Sequence, residues 1–149
     1  MRAVEFKQAM RSGQTVLGIQ QFLPSLAITE MAGLAGFDWA WFCIEHGSAA
    51  VGTDLENLIR TCDGVGITSI VRVINNEYSI VQRCMDLGAD GVMIPRVRNR
   101  ADVERAIEFV KFPPLGKRGI CGVTRAWDYG ERAPAPEVLN DETIVMLLI

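Results

Sequence analysis

The chain of 149 residues contains one histidine, His46, and three lysines, Lys7, Lys111 and Lys117. Its four cysteines, Cys43, Cys62, Cys84 and Cys121, nowhere form a C-x-x-C pair. That combination argues against a structural zinc site, which needs several thiolates or imidazoles at short spacing. No apolar run approaches the roughly 18 uncharged residues that a membrane helix needs. The net charge of −3 gives no reason to expect nucleic acid or an anionic membrane as partner. The first residues carry no apolar run or cleavage site, so no signal peptide is expected. Three of the cysteines sit in apolar surroundings, which reads as a cytoplasmic protein with reduced thiols.

Phosphate-binding loops are absent too. Gly64-x-Gly66 lacks the third glycine of a dinucleotide fingerprint and precedes a β-prone run where that motif follows one. Gly116-Lys117 is followed by Arg118, and Lys111 holds the place of the upstream glycine, so this is not a P-loop.

What the sequence does contain is an alternation. It is 49% hydrophobic and 22% charged, an ordinary globular composition of one domain's length. Residues 15–20 form a short β-prone run. Pro24 opens a helical stretch to about Gly36, with Ala27, Met31, Leu34 and Ala35 at helical spacing. Residues 37–44 are almost continuously apolar, as in a strand covered on both faces. Thr53, with Glu56 three residues on, suits a capping box for a helix to about Asp63. Residues 67–73 read as the third strand. A helix follows from Asn76 or Glu77 to Gly88, then a strand at 90–95 and a helix at 99–111. That last helix carries Val103, Ala106, Ile107 and Val110 on one face. A polar, Pro- and Gly-rich stretch at 112–141 precedes a fifth β-prone run at 143–149; loops that long are usually functional. Four βα units of this length imply an α/β fold, either a doubly wound parallel sheet or a barrel.

In a parallel barrel the chemistry sits at strand C-termini and the loops after them. Glu45 and His46 follow the second strand, Arg72 closes the third, and Pro95-Arg96 end the fourth. No lysine lies at such a position, so these residues offer no Schiff-base nucleophile. His46 reads either as a solvated loop histidine or as a general base. Arg72, inside the run Ser69-Ile70-Val71-Arg72-Val73, is either half of a structural ion pair or a fork of donors for a carboxylate or enolate oxygen. Asp86, just before a helix-ending Gly88, opposes the helix dipole and is otherwise a surface acid.

Together, Phe37-Asp38-Trp39, Glu45-His46-Gly47, Val71-Arg72-Val73, Asp86-x-Gly88-Ala89-x-Gly91-Val92-Met93-x-Pro95 and Phe112-Pro113-Pro114-x-Gly116-x-Arg118-Gly119 resemble the HpcH/HpaI aldolases. The resemblance covers nearly the whole chain. It implies a (β/α)8 TIM barrel of the phosphoenolpyruvate/pyruvate type, here its first four βα units and the start of strand five. It implies a metal-dependent (class II) aldolase, and a homo-oligomer, cleaving a 4-hydroxy-2-oxo acid to pyruvate and an aldehyde. The substrate would be a 2-keto-3-deoxy sugar acid or a dicarboxylate. By motif position His46 would be the base on the substrate hydroxyl. Asp86 would be the acid that raises its basicity, and Arg72 the group that binds the substrate and stabilises the pyruvate enolate. Magnesium, manganese or cobalt would act as Lewis acid, with its carboxylate ligands expected after Ile149 and none within this chain. Residues 1–149 alone are on this reading expected to be inactive. An inactive half-barrel fragment and a citrate-lyase β-type acyl-CoA lyase are the rival readings. Two positions depart from the family's pattern: Cys43 stands where an aspartate is common, and Leu148 where a glutamine is common.

Overall fold

The computed structural model describes residues 1–132 and 134–149. Five strands, β1 (Gly18–Gln21), β2 (Trp39–Cys43), β3 (Thr68–Arg72), β4 (Gly91–Ile94) and β5 (Ile144–Leu147), form one parallel sheet in the order β1-β2-β3-β4-β5. Because that order never reverses, the sheet lacks the switch point of a doubly wound fold. The register aligns Cys43 with Arg72 and Arg72 with Met93, so β2, β3 and β4 end together.

Side chains alternate across the sheet. Ala40, Phe42, Val71, Val92 and Ile94 point to one face. There they pack on Leu55, Leu58, Ile59 and Cys62 of α3 (Thr53–Val65), Val81 and Cys84 of α4 (Tyr78–Asp86), and Ala106 and Val110 of α5 (Arg100–Val110). Trp39, Trp41, Ile70, Met93 and Ile144 point to the other face. α1 (Ala3–Arg11) covers part of that face through Ala3 and Phe6, and the Phe6 ring meets Trp39 edge-on at 5.7 Å. The near-continuous apolar strands are thus explained by burial on both faces.

Four sequence expectations need correction. α1 falls where no element was expected, because Phe6 is the one large residue among its buried positions Ala3, Phe6 and Ala9. In α2 (Leu26–Leu34) the buried residues are Thr29 and Ala32, while Met31 and Leu34 are exposed. The helix is apolar nearly all round, so spacing could not choose its face. Close packing chose it: a Cβ on Gly33 would come within 2.3 Å of Val65 on α3. In α5, Ile107 is 39% exposed although it shares the expected apolar stripe. The capping box at Thr53 is also replaced: Thr53 is already helical, and Asp54 accepts from the Ala50 amide at 3.2 Å.

The 112–141 stretch holds a 3-10 turn (Arg125–Gly130) and the short α6 (Pro136–Glu142). Trp127 anchors it by packing edge-on against Phe112 at 5.4 Å. Cys43, Cys62 and Cys84 are buried and free, and Cys121 is exposed and free. No helix among the described residues is long and apolar enough to cross a membrane.

Candidate active site

At the end of β2 the chain turns back through Ile44, Glu45 and His46. The Gly47 amide donates to the Cys43 carbonyl at 2.9 Å, and the Ser48 amide to the Phe22 carbonyl at 2.9 Å. Gly47 is required by this approach: a Cβ there would lie 2.2 Å from the Cys43 carbonyl oxygen and 2.7 Å from that of Phe22. The turn holds the Glu45 side chain at 6% exposure beside the ends of β3 and β4.

Glu45 is the hub of the site. Its Oε2 accepts from Arg72 Nε at 2.8 Å and lies 2.6 Å from Arg72 Nη2. Its Oε1 is 3.1 Å from Arg96 Nη1. A carboxylate this buried would be costly alone, and the two guanidiniums neutralise it. Arg96 reaches in from the residue after Pro95 and also donates through Nη2 to the Ile74 carbonyl at 2.7 Å.

His46 Nε2 sits 3.4 Å from Arg72 Nη2 and 3.5 Å from Glu45 Oε2. Arginine has no acceptor, so its contact requires an unprotonated Nε2 with a free lone pair. Glu45 has no proton to give, so its contact suits a protonated Nε2. One ring nitrogen therefore has a partner for each of its two states. His46 is 60% exposed and can meet an incoming molecule, whereas Arg72 is 20% exposed and fixed by Glu45.

The structure brings His46 and Arg72 together but not Asp86. Asp86 ends α4, and in a βα unit the helix C-terminus lies at the N-terminal end of the sheet. About 16 Å of strand separates the two ends, at roughly 3.3 Å per residue. Asp86 instead accepts from Arg118 Nη2 at 2.8 Å. Arg118 is 2% exposed, and its Cζ stands 4.5 Å over the Phe112 ring. Burial pushes the Arg118 pKa down, while the Asp86 hydrogen bond and charge oppose that. Within this chain Asp86 is the counter-charge of Arg118 and does not meet His46. The carboxylate beside His46 is its own neighbour, Glu45.

Glu45 and Arg96 are placed by sequence at strand ends, but their roles are not. The available signal is an acid after β2 and a base after β4, the two strands that flank β3. A cavity of about 630 Å³ lies at the opposite end of the sheet, between Arg2, Asp63, Asp90, Arg118 and Arg125. Arg2 and Arg125 both pair with Asp63 there.

A divalent metal does not fit the described residues. None of them form a group of three or more His, Cys, Asp and Glu side chains placed to hold one. Both oxygens of Glu45, the carboxylate in the cluster, already face guanidiniums.

The family model described as HpcH/HpaI aldolase/citrate lyase matches residues 20–149. A pyruvate aldolase of Rhizobium etli is 31% identical over 143 residues, 96% of this chain and 56% of that protein. A 5-keto-4-deoxy-D-glucarate aldolase of Salmonella paratyphi A is 35% identical over 126 residues, 85% of this chain and 49% of that protein. An HpcH/HpaI aldolase/citrate lyase family protein from Burkholderia cenocepacia superposes with a TM-score of 0.89 at 27% identity, over 96% of this chain and 58% of that one. The chain spans about half the length of the curated relatives it matches.

Proposed function

The chain belongs to the HpcH/HpaI aldolase/citrate lyase family, and on that premise we propose that it carries the base and the enolate-binding arginine of a pyruvate aldolase. Its substrate on this reading is a 4-hydroxy-2-oxo acid, and the five sequential strands belong to a (β/α)8 barrel. The observation that carries the reading is the Glu45–Arg72–His46 cluster at the shared C-terminal end of β2 and β3.

The steps follow from the atoms. His46 Nε2 takes the proton of the C4 hydroxyl. The oxygen's electrons form the aldehyde carbonyl as the C3–C4 bond breaks, and that bond's electrons pass into the enolate of pyruvate. Arg72 meets the developing negative charge on the enolate oxygen, with a fork that Glu45 has already oriented. The imidazolium finds Glu45 Oε2 beside it until the proton is returned, and protonation of the enolate at C3 gives pyruvate. The divalent metal implied by the resemblance would need ligands other than the described residues, and no step above is routed through it.

Arg72→Lys, made in the intact enzyme, tests the assignment. Lysine keeps the charge but not the planar fork. Loss of one such donor costs on the order of 3 kcal/mol in the transition state, so kcat/KM for pyruvate release is expected to fall roughly 100-fold or more, with unfolding little changed. Wild-type kcat/KM in this variant would remove Arg72 from the mechanism.

A further inference from the structure

Arg96 has no part in the steps proposed for the reaction, yet its conformation is specific. It follows Pro95 just past the end of β4, and its backbone has φ +57°, a left-handed conformation that costs an ordinary side chain roughly 1–2 kcal/mol. The side chain is 59% exposed, so burial of the residue does not offset that cost. What the conformation achieves is aim. The guanidinium places Nη1 3.1 Å from Glu45 Oε1 and donates through Nη2 to the Ile74 carbonyl at 2.7 Å, tying together the segments after β2, β3 and β4. Strain held at an exposed residue that ends on a buried carboxylate points to function.

Glu45 divides its two oxygens. Oε1 faces Arg96, while Oε2 faces two nitrogens of Arg72, Nε at 2.8 Å and Nη2 at 2.6 Å, and also His46 Nε2 at 3.5 Å. Arginine–carboxylate pairs frequently spread over both oxygens. Here Arg96 holds one of them, which leaves Oε2 alone between Arg72 and the imidazole.

The groups that face His46 come from three elements. The end of β2 contributes Glu45 and the Cys43 thiol, whose Sγ accepts from the His46 amide at 3.4 Å. The end of β3 contributes Arg72, and the residue after Pro95 contributes Arg96. Other charges nearby are engaged elsewhere. Asp54 accepts from the Ala50 amide at 3.2 Å. Asp102 accepts from the Arg98 amide at 3.0 Å and lies 3.8 Å from Arg105. Among the described residues, no hydrogen bond or ion pair joins Asp54, Arg98 or Asp102 to Glu45 or His46. Two guanidiniums therefore stand against one carboxylate, and the imidazole faces an excess of one positive charge.

We infer that Arg96 is a positioning residue for the base: by holding and neutralising Glu45 at its other oxygen, it keeps His46 unprotonated and ready to take the C4 hydroxyl proton. The inference rests on the aldolase reading above, in which His46 is that base. The sign is set by charge. Glu45 alone favours the imidazolium, and each nearby guanidinium opposes it. With Arg96 gone, Arg72 and Glu45 cancel, and His46 stays protonated to higher pH.

The test pairs the pH dependence of kcat/KM for pyruvate release by the intact enzyme with a proton NMR titration of the His46 imidazole, identified as the resonance lost in His46→Gln. In Arg96→Gln the acidic limb and the imidazole titration should both move to higher pH, by about half a unit to one unit, because solvent partly screens the half-exposed guanidinium. On the acidic limb kcat/KM then falls about 3- to 10-fold, and the deficit shrinks toward alkaline pH. Arg96→Lys keeps the charge and should bring both readouts back toward wild type. Arg96→Gly, which the positive φ favours, removes the guanidinium without backbone strain and should match Arg96→Gln. A limb and a titration that stay in place, or move to lower pH, in both Arg96→Gln and Arg96→Gly overturn the inference. So does a shift in Arg96→Lys as large as that in Arg96→Gln. The titration separates the two levels. Pyruvate release with an unmoved titration sinks the role of Arg96 alone, whereas an enzyme that releases no pyruvate at any pH sinks the aldolase reading and this inference with it.

Discussion

Asp86 and Glu45 show how far residue type and motif position can go. Both are acids near a basic partner, and the resemblance alone gives Asp86 the catalytic part. Geometry gives each its own arginine, at opposite ends of the sheet. The Arg118–Asp86 pair is buried on the arginine side, and removing one member of a buried pair typically costs about 3–5 kcal/mol. Asp86→Ala is therefore expected to lower the free energy of unfolding by about 3 kcal/mol, measured by urea denaturation. Any loss of activity should follow the loss of folded protein. A variant with wild-type stability and a specific collapse of kcat would return Asp86 to the catalytic set. At this scale the sequence shows which residues could act, but not which of two carboxylates meets the imidazole. That choice depends on a turn only three residues long, at Ile44, Glu45 and His46, and on a glycine whose missing Cβ lets the turn close.

At the scale of elements, β2, β3, β4 and their helices are legible because burial on both faces makes the strands continuously apolar. What escapes is whatever depends on packing rather than on period. α1 carries a single large anchor, Phe6, and α2 has apolar residues on every side. The long 112–141 stretch hides a 3-10 turn and α6 because prolines and glycines dominate its pattern. The turn that carries Glu45 and His46 gives the sharpest test at this scale. Gly47→Ala would drive a methyl group into two backbone carbonyls, neither of which can rotate away. Overpacking of this kind costs about 1–3 kcal/mol. The chain must relieve it by moving the turn that carries Glu45 and His46. Expected, then, is a drop in Tm accompanied by a loss of kcat/KM of more than tenfold. Full activity in this variant would mean that the turn tolerates displacement and that His46 is not held by it.

For the molecule as a whole, burial sets the response to alkaline pH, and two opposing contributions have to be weighed. Burial raises the Cys84 thiol from 9.0 to about 12 and pushes the Cys62 thiol upward as well, with Asp90 and Asp63 adding to the latter. A raised thiol pKa stabilises the fold fully below the unfolded value of 9.0, and that contribution is lost as pH climbs toward the folded value. Lys111 acts in the other direction. Desolvation, with Lys7 nearby, lowers it from 10.5 to about 8, and its ammonium donates to the Thr143 carbonyl at 3.1 Å. A lowered lysine pKa costs stability below about pH 8, and that cost is relieved as pH rises to 10.5. Between pH 8 and 9 Lys111 titrates while the buried thiols stay protonated, so stability should hold or rise slightly. Above pH 9 two thiols oppose one partly exposed lysine, each worth about 1.4 kcal/mol per pH unit at most. The two buried thiols outweigh the lysine, whose part is reduced by solvent screening, giving a net loss of about 2–4 kcal/mol between pH 9 and 10.5. Urea denaturation under a phosphine reductant, at half-unit steps from pH 7.5 to 10.5, measures this directly. In Cys84→Ala the loss above pH 9 should shrink by at least half, because one thiol is then opposed by the same lysine. If the slope above pH 9 is the same in Cys84→Ala as in wild type, the buried thiols do not control alkaline stability, and the helix-facing side of the sheet is wetter than its packing indicates.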